Sequence, residues 1–180
     1  MKKISLFSLL FLSLFFVQCS SSDDSSSSSS GTLFVNDVLF KIGTNALPNT
    51  IYNLTMFYGD DDPEFFNTRT FNILDPDSST ETNYKNITIV VAYPGLTSIN
   101  GTYSLLQEDN LDGIPFASVT FETGSDSYGG DVDTSTGSLK VTDMGSNKFK
   151  LEFIDVTVEN ESGDVKTITG YCTPTFTSLN

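Results

Sequence analysis

The chain has 180 residues and a formal net charge of −14, with 9 basic and 23 acidic residues. This charge argues against binding to nucleic-acid phosphates and against electrostatic docking onto anionic lipid. Histidine is absent, which excludes Ser-His-Asp triads and most zinc sites.

Residues 1–18 have the pattern of an export signal. Lys2 and Lys3 form a positive start, and Ile4 to Val17 is an apolar run broken only by serines. At 1.5 Å per residue this run is too short to cross a bilayer core of about 30 Å, but it matches the apolar region of a signal peptide. The segment is therefore expected to be removed, and both of its lysines leave with it.

The next residues resemble the processing site of bacterial lipoproteins. Phe16-Val17-Gln18-Cys19 is similar to a lipobox, with Gln18 where a small residue is commonest, as in lipoproteins of the Bacteroidota. Ser20 to Asp24 resembles the acidic signal that sends lipoproteins of that phylum to the cell surface. The resemblance implies lipidation of Cys19, with a diacylglycerol on Sγ and a palmitate-type acyl chain on the amine. It also implies a surface-exposed position on the outer membrane. The alternative is a secreted protein in which Cys19 is incidental.

Residues 19–30 are predicted to be a lipidated cysteine followed by a tether. Ser20 to Ser30 is nearly all serine, and such a segment has too little apolar surface to fold. As a random coil its eleven residues span about 18 Å. Residues 31–180 are left as the domain that folds.

From Thr32 onward, period-two alternation and turn residues predict strands. Asn36-Asp37 tolerates the positive φ of a two-residue hairpin turn. Phe149, Leu151 and Phe153 alternate with charged residues and are predicted to point inward. One face of the segment Asn86–Tyr93 likewise carries Ile87, Ile89, Val91 and Tyr93. The predicted strands are Thr32–Val35, Val38–Ile42, Ile51–Tyr58, Arg69–Leu74, Asn86–Tyr93, Gly101–Leu106, Phe116–Thr123, Ser138–Asp143, Lys148–Phe153 with its continuation Asp155–Val158, and Val165–Phe176.

This pattern predicts an all-β domain of about nine or ten strands, folded as a single antiparallel β-sandwich or an up-and-down β-barrel. Short turns between neighbouring strands favour the up-and-down order. Residues 135–142 and 148–153 resemble the closing hairpins of small calycin-like β domains in Bacteroidota lipoproteins. That resemblance implies the fold and assigns no site.

Two acidic segments are candidate calcium sites. Glu108, Asn110 and Asp112 alternate before Gly113 as in an EF-hand-type loop, although Val119 stands where that loop needs a bidentate glutamate. The second segment clusters carboxylates that a hard cation could neutralise; its residues are Asp60, Asp61, Asp62 and Glu64. The alternative for both segments is a solvated acidic loop, without calcium or any other cofactor.

Two further features carry weaker functional hypotheses. Tyr128-Gly129-Gly130-Asp131 joins an aromatic ring, glycines and an acid, a combination that can grip sugars from a loop; the alternative is a flexible loop. Cys172 is predicted to be a small buried hydrophobe, because a nucleophilic thiol needs an activating base and the chain has no histidine.

No catalytic residues are predicted, and the chain is interpreted as a non-catalytic module that binds a glycan or protein at the cell surface. It would contact the membrane only through its lipid, and it would not bind nucleic acid. One alternative is a calycin-like carrier or inhibitor that holds a small apolar ligand. Another is a small two-carboxylate glycosidase, although no spacing singles out a carboxylate pair.

Overall fold

A computed structural model describes residues 31–42, 50–58, 64–78, 80–94, 98–105, 115–129 and 135–178. These ranges are all-β, with one short 3₁₀ turn at Glu81–Asn83, so the all-β part of the fold prediction is confirmed. Their twelve strands are β1 (Gly31–Val35), β2 (Val38–Phe40), β3 (Thr50–Tyr58), β4 (Glu64–Leu74), β5 (Lys85–Pro94), β6 (Gly101–Leu105), β7 (Phe116–Thr123), β8 (Asp126–Gly129), β9 (Thr136–Asp143), β10 (Phe149–Glu159), β11 (Val165–Cys172) and β12 (Thr177–Ser178).

The twelve strands form one curled sheet in the order β12-β3-β4-β5-β7-β6-β9-β10-β11-β1-β2, with β8 paired to β7. This order departs from the predicted up-and-down arrangement. β1 lies beside β11, β6 lies between β7 and β9, and the β6–β7 and β12–β3 pairs are parallel. The sheet is therefore not wholly antiparallel, and parallel neighbours cannot be joined by a tight hairpin.

The first hairpin forms as predicted. Asn36 and Asp37 have φ values of 48° and 61°, and two positive φ values are the signature of the type I′ turn that matches strand twist. The turn is also fixed to β11, because the Asn36 amide donates to the Thr167 carbonyl at 2.9 Å and Asn36 Oδ1 accepts from the Thr167 amide at 2.8 Å. The second strand ends at Phe40, two residues earlier than predicted.

Two substitutions at Asn36 separate these contributions. Asn36→Gly removes only the side-chain hydrogen bond and is expected to cost about 1 kcal/mol of unfolding free energy. Asn36→Ala also places a less tolerant residue at positive φ, and is expected to cost about 2 kcal/mol. Urea denaturation of both variants measures the difference. Equal costs would show that the backbone conformation contributes nothing to the preference for asparagine.

The predicted segments Lys148–Phe153 and Asp155–Val158 form one continuous strand, β10, with a bulge between them. Phe153 and Val156 are both buried, although strict alternation would point them to opposite faces. The register against β11 shifts between these residues, and Asp155 adopts a φ of 50°. The extra residue returns the apolar side chains to the inner face, so β10 keeps one face buried from Phe149 to Val158, while Ile154 and Asp155 at the bulge are exposed.

The core lies on the inner face of the curled sheet. The Phe71 ring from β4 packs edge to face against Phe149 from β10, with ring centroids 5.1 Å apart. It also packs at a tilt against Phe176, with centroids 5.0 Å apart. The predicted inward residues of β5 and β10 are buried as expected. The largest fully buried side chains are Phe71, Phe149, Leu33, Ile73, Ile87, Ile89, Leu139, Leu151, Ile168, Val91, Val119 and Val141.

Candidate functional site

An open groove lies at the turn end of the β1–β2 hairpin. Its volume is about 300 Å³. Sheet pairing brings its walls together: Val35 lies opposite Ile168 near the start of β11, and Lys85 at the start of β5 lies opposite Thr123 at the end of β7. The lining residues are Val35, Asn36, Val38, Leu39, Phe40, Lys85, Phe121, Thr123 and Lys166.

The groove has an apolar wall and an apolar rim. Phe40 and Phe121 are buried and meet edge to face, with ring centroids 6.5 Å apart and planes at 74°. Val38 and Leu39 on β2 remain 62% and 53% exposed. β2 ends the sheet, and exposed apolar residues are unusual on an edge strand, where charges commonly discourage unwanted pairing.

Two lysines supply the charge in the groove. Lys166 Nζ lies 4.9 Å from the centroid of the Tyr128 ring, a cation–π contact. The backbone of Lys85 is fixed by its amide, which donates to Ser78 Oγ at 2.8 Å, and by its carbonyl, which accepts from the Asp75 amide at 3.0 Å. Within the described ranges neither lysine forms an ion pair, and no lining residue is acidic.

An ion pair next to the groove ties the end of β2 to the connection between β4 and β5. Lys41 Nζ contacts Asp77 Oδ2, and this hydrogen bond raises the pKa of Lys41. The Asp77 amide in turn donates to Oδ1 of the buried Asp75 at 2.9 Å. The exposed pair contributes little stability by itself, but it joins the end of β2 to the connection that leads into β5.

The groove lining is suited to binding. Its apolar side chains can bury a hydrophobic surface, while its ammonium groups, the Asn36 amide and the Thr123 hydroxyl can orient a polar group. No residue of this lining was predicted as a site residue. Val38-Leu39-Phe40 gives the only hint, since three consecutive apolar residues break the alternation expected of a half-buried strand.

The predicted calcium ligands are not brought together in the part of the chain that the structure describes. Glu64 is the first residue of β4, while the other six lie outside the described residues: Asp60, Asp61, Asp62, Glu108, Asn110 and Asp112. Cys19 also lies outside them. Among the described residues, no group of three or more Cys, Asp or Glu side chains could hold a metal ion. Calcium binding and lipidation therefore stay predictions.

The structure corrects the predicted sugar-binding loop at Tyr128 and Gly129. Tyr128 and Gly129 belong to β8, and the Tyr128 ring is buried against Phe121, with centroids 6.0 Å apart. An aromatic ring packed inward cannot stack on a sugar from a loop. Gly130 and Asp131 lie outside the described residues.

Cys172 is fully buried in β11, and burial raises the pKa of its thiol. Because the thiolate is the reactive form, Cys172 in a chain carrying Cys19→Ser is expected to resist a water-soluble thiol reagent at pH 8 in the folded protein and to react rapidly in denaturant. The control is the same measurement on Cys172→Ala, in which this signal should disappear. Rapid labelling of the native protein would contradict the buried position.

Comparison of the chain with protein-family models, curated proteins and solved structures gives no match. Over the described residues, no helix is long and apolar enough to span a membrane. The groove and the N-terminal sequence are therefore the two features from which a function can be inferred.

Proposed function

We propose that this chain is a surface-exposed lipoprotein of the outer membrane, anchored through Cys19, whose β domain is a non-catalytic module that binds a protein or glycan. The observation that carries the binding role is the groove with its exposed apolar rim at Val38 and Leu39. Apolar surface left open beside buried aromatic rings commonly marks an interaction site. The acidic remainder of the chain keeps the module soluble and self-repelling.

The position of the tether supports this arrangement. Gly31 pairs with Cys172 at one end of β1, whereas Val35 and the Asn36-Asp37 turn lie at the other end, where the groove opens. Five residues of strand separate these ends by about 16 Å. A tether that enters at Gly31 would therefore leave the groove at the end of the domain remote from the lipid.

The anchor is tested by lipid labelling and cell fractionation. In the native host, the full chain should incorporate labelled palmitate, stay with the outer membrane and be digested by protease added to intact cells. Cys19→Ala should abolish labelling and release the protein, whereas Cys172→Ala should behave as wild type. Unchanged labelling of the Cys19 variant would refute the anchor, and protection from protease would refute surface exposure.

The binding role is tested by cross-linking from the groove. A photoreactive amino acid at Leu39 should join the protein to a defined protein or glycan on intact cells. The same amino acid at Met144, an equally exposed residue on the turn between β9 and β10, is the matched control. Identical products from the two positions, or none from Leu39, would reject the groove as the binding surface.

For the architecture, we propose an incompletely closed barrel rather than a sandwich. The contacts that support it join distant strands across the interior: Phe40 with Phe121, and Phe71 with Phe149. Both the β2 edge and the β12–β3 edge remain open in the strand order. An experimental structure with two separate packed sheets would contradict this proposal.

The groove favours a second candidate function, the binding of a small ligand. Its volume of about 300 Å³ is at the lower end of the range for ligand pockets, about 300–1,000 Å³. Phe71, Phe149 and Phe176 occupy the space between β4 and β10. The ligand would therefore sit in the groove rather than among these rings, unlike the cargo of a calycin-like carrier.

A further inference from the structure

We infer that the groove binds a small amphipathic anion, with one negative head group on a short apolar body. The inference rests on the small-ligand candidate above and adds the chemistry of the ligand. It is independent of the lipid anchor and of a macromolecular partner.

Charge is the first observation. After the two signal lysines, only seven basic residues remain along the chain, and Lys85 and Lys166 are two of them. Among the described residues no carboxylate joins them in the lining, although the chain carries 23 Asp and Glu residues. A local positive charge on an acidic protein attracts an anionic group and disfavours a cationic one.

Geometry is the second observation. Lys85 starts β5 and Lys166 lies in β11, so the two cations come from strands far apart in the sheet order. The Tyr128 ring holds Lys166, and the hydrogen bonds of the Lys85 backbone fix the origin of the second side chain. The fold therefore places the Lys166 ammonium over the Tyr128 ring and fixes the backbone from which the Lys85 side chain extends, and neither lysine is ion-paired with a described carboxylate.

The apolar wall supplies the other half of the ligand chemistry. Phe40, Phe121 and Val35 are buried beside the opening, and the half-exposed Leu39 also lines it. An inorganic anion would leave this surface uncovered, and a neutral apolar molecule would leave both cations without a partner. A carboxylate with an alkyl or aromatic body would cover the apolar wall and also pair with the cations. The test therefore uses one alkyl carboxylate and one aromatic carboxylate.

The test is isothermal titration calorimetry on the mature chain from residue 19, carrying Cys19→Ser so that no acyl group competes. The probes are decanoate and naphthoate, each with its neutral alcohol as the control. The carboxylates should bind more tightly than their alcohols, and added salt should weaken only the carboxylates. The amide NMR signals of Leu39 and Thr123 should shift on titration.

Lysine variants decide whether the cations matter. Lys85→Met and Lys166→Met retain most of the apolar stem, and each should weaken carboxylate binding about two- to fivefold, the range for half-exposed ion pairs. The double variant should lose about tenfold. Lys148→Met, on the turn at the opposite end of the sheet, changes the net charge equally and should leave affinity unchanged.

A second pair of variants changes Leu39 at the exposed rim, where a substitution should not prevent folding. Leu39→Asp should abolish carboxylate binding, whereas Leu39→Asn should only weaken it. Equal binding of acid and alcohol, equal effects of Lys148→Met and Lys85→Met, or no binding of any probe would each overturn the inference. None of these results would affect the anchor or the cross-linking test, so the two proposals fail separately.

Discussion

Phe71→Ala is expected to lower the free energy of unfolding by about 3–5 kcal/mol, the range for removing a fully buried phenylalanine. Phe71 has no exposed surface, and its ring contacts both Phe149 and Phe176. Alanine would leave a cavity between β4 and β10, which are held together here by aromatic contacts rather than by hydrogen bonds. Urea denaturation at pH 7 measures the loss.

Two variants define what the loss means. Met144→Ala removes an exposed apolar side chain and should change stability by no more than about 0.5 kcal/mol. Phe71→Leu refills much of the cavity and should recover more than half of the loss. A Phe71→Ala protein within about 1 kcal/mol of wild type would mean that the aromatic cluster does not join the two sides of the sheet.

Gly170→Ala is expected to disrupt the pairing of β1 with β11. Gly170 has a φ of 97°, and a Cβ atom there would lie 2.1 Å from the Thr32 carbonyl oxygen. The conformation costs a non-glycine residue about 1–3 kcal/mol, and separating the strands adds to that cost. Amide hydrogen exchange should accelerate in β1 more than in β9.

Gly145→Ala is the matched control. Gly145 has a similar φ of 80°, but a Cβ atom there would meet nothing within 4 Å. Its cost therefore reports backbone strain alone, about 1–2 kcal/mol. If the two variants were equally stable, the close approach of β1 to Gly170 would contribute nothing, and the contact described here would be wrong.

Local pattern was sufficient to predict most strands. Alternation predicted the buried face of β5 and the inward residues Phe149, Leu151 and Phe153, and Asn36-Asp37 predicted the first turn. β8 was missed because it has only four residues, of which Tyr128 alone is buried. The strand order could not be predicted, because the pairing of β1 with β11 depends on contacts between residues more than 130 positions apart.

The groove could not be predicted for the same reason. Three separate segments of the chain contribute Lys85, Phe121 and Lys166, and the sequence around each predicts only an ordinary strand residue. Only the curl of the sheet brings them beside Phe40. The sites that were predicted depended on local acidic clusters, and all of those except Glu64 lie outside the described residues.

The pairing of β1 with β11 also has a consequence for the order of folding. β1 is the first of the described strands to leave the ribosome, yet its partner β11 ends only at Cys172. Such non-local topology closes slowly, on the scale of milliseconds to seconds. A nascent chain that cannot complete its sheet until its last strands have been made stays unfolded during synthesis. That delay would be compatible with the export proposed above, in which the chain crosses a membrane before it folds.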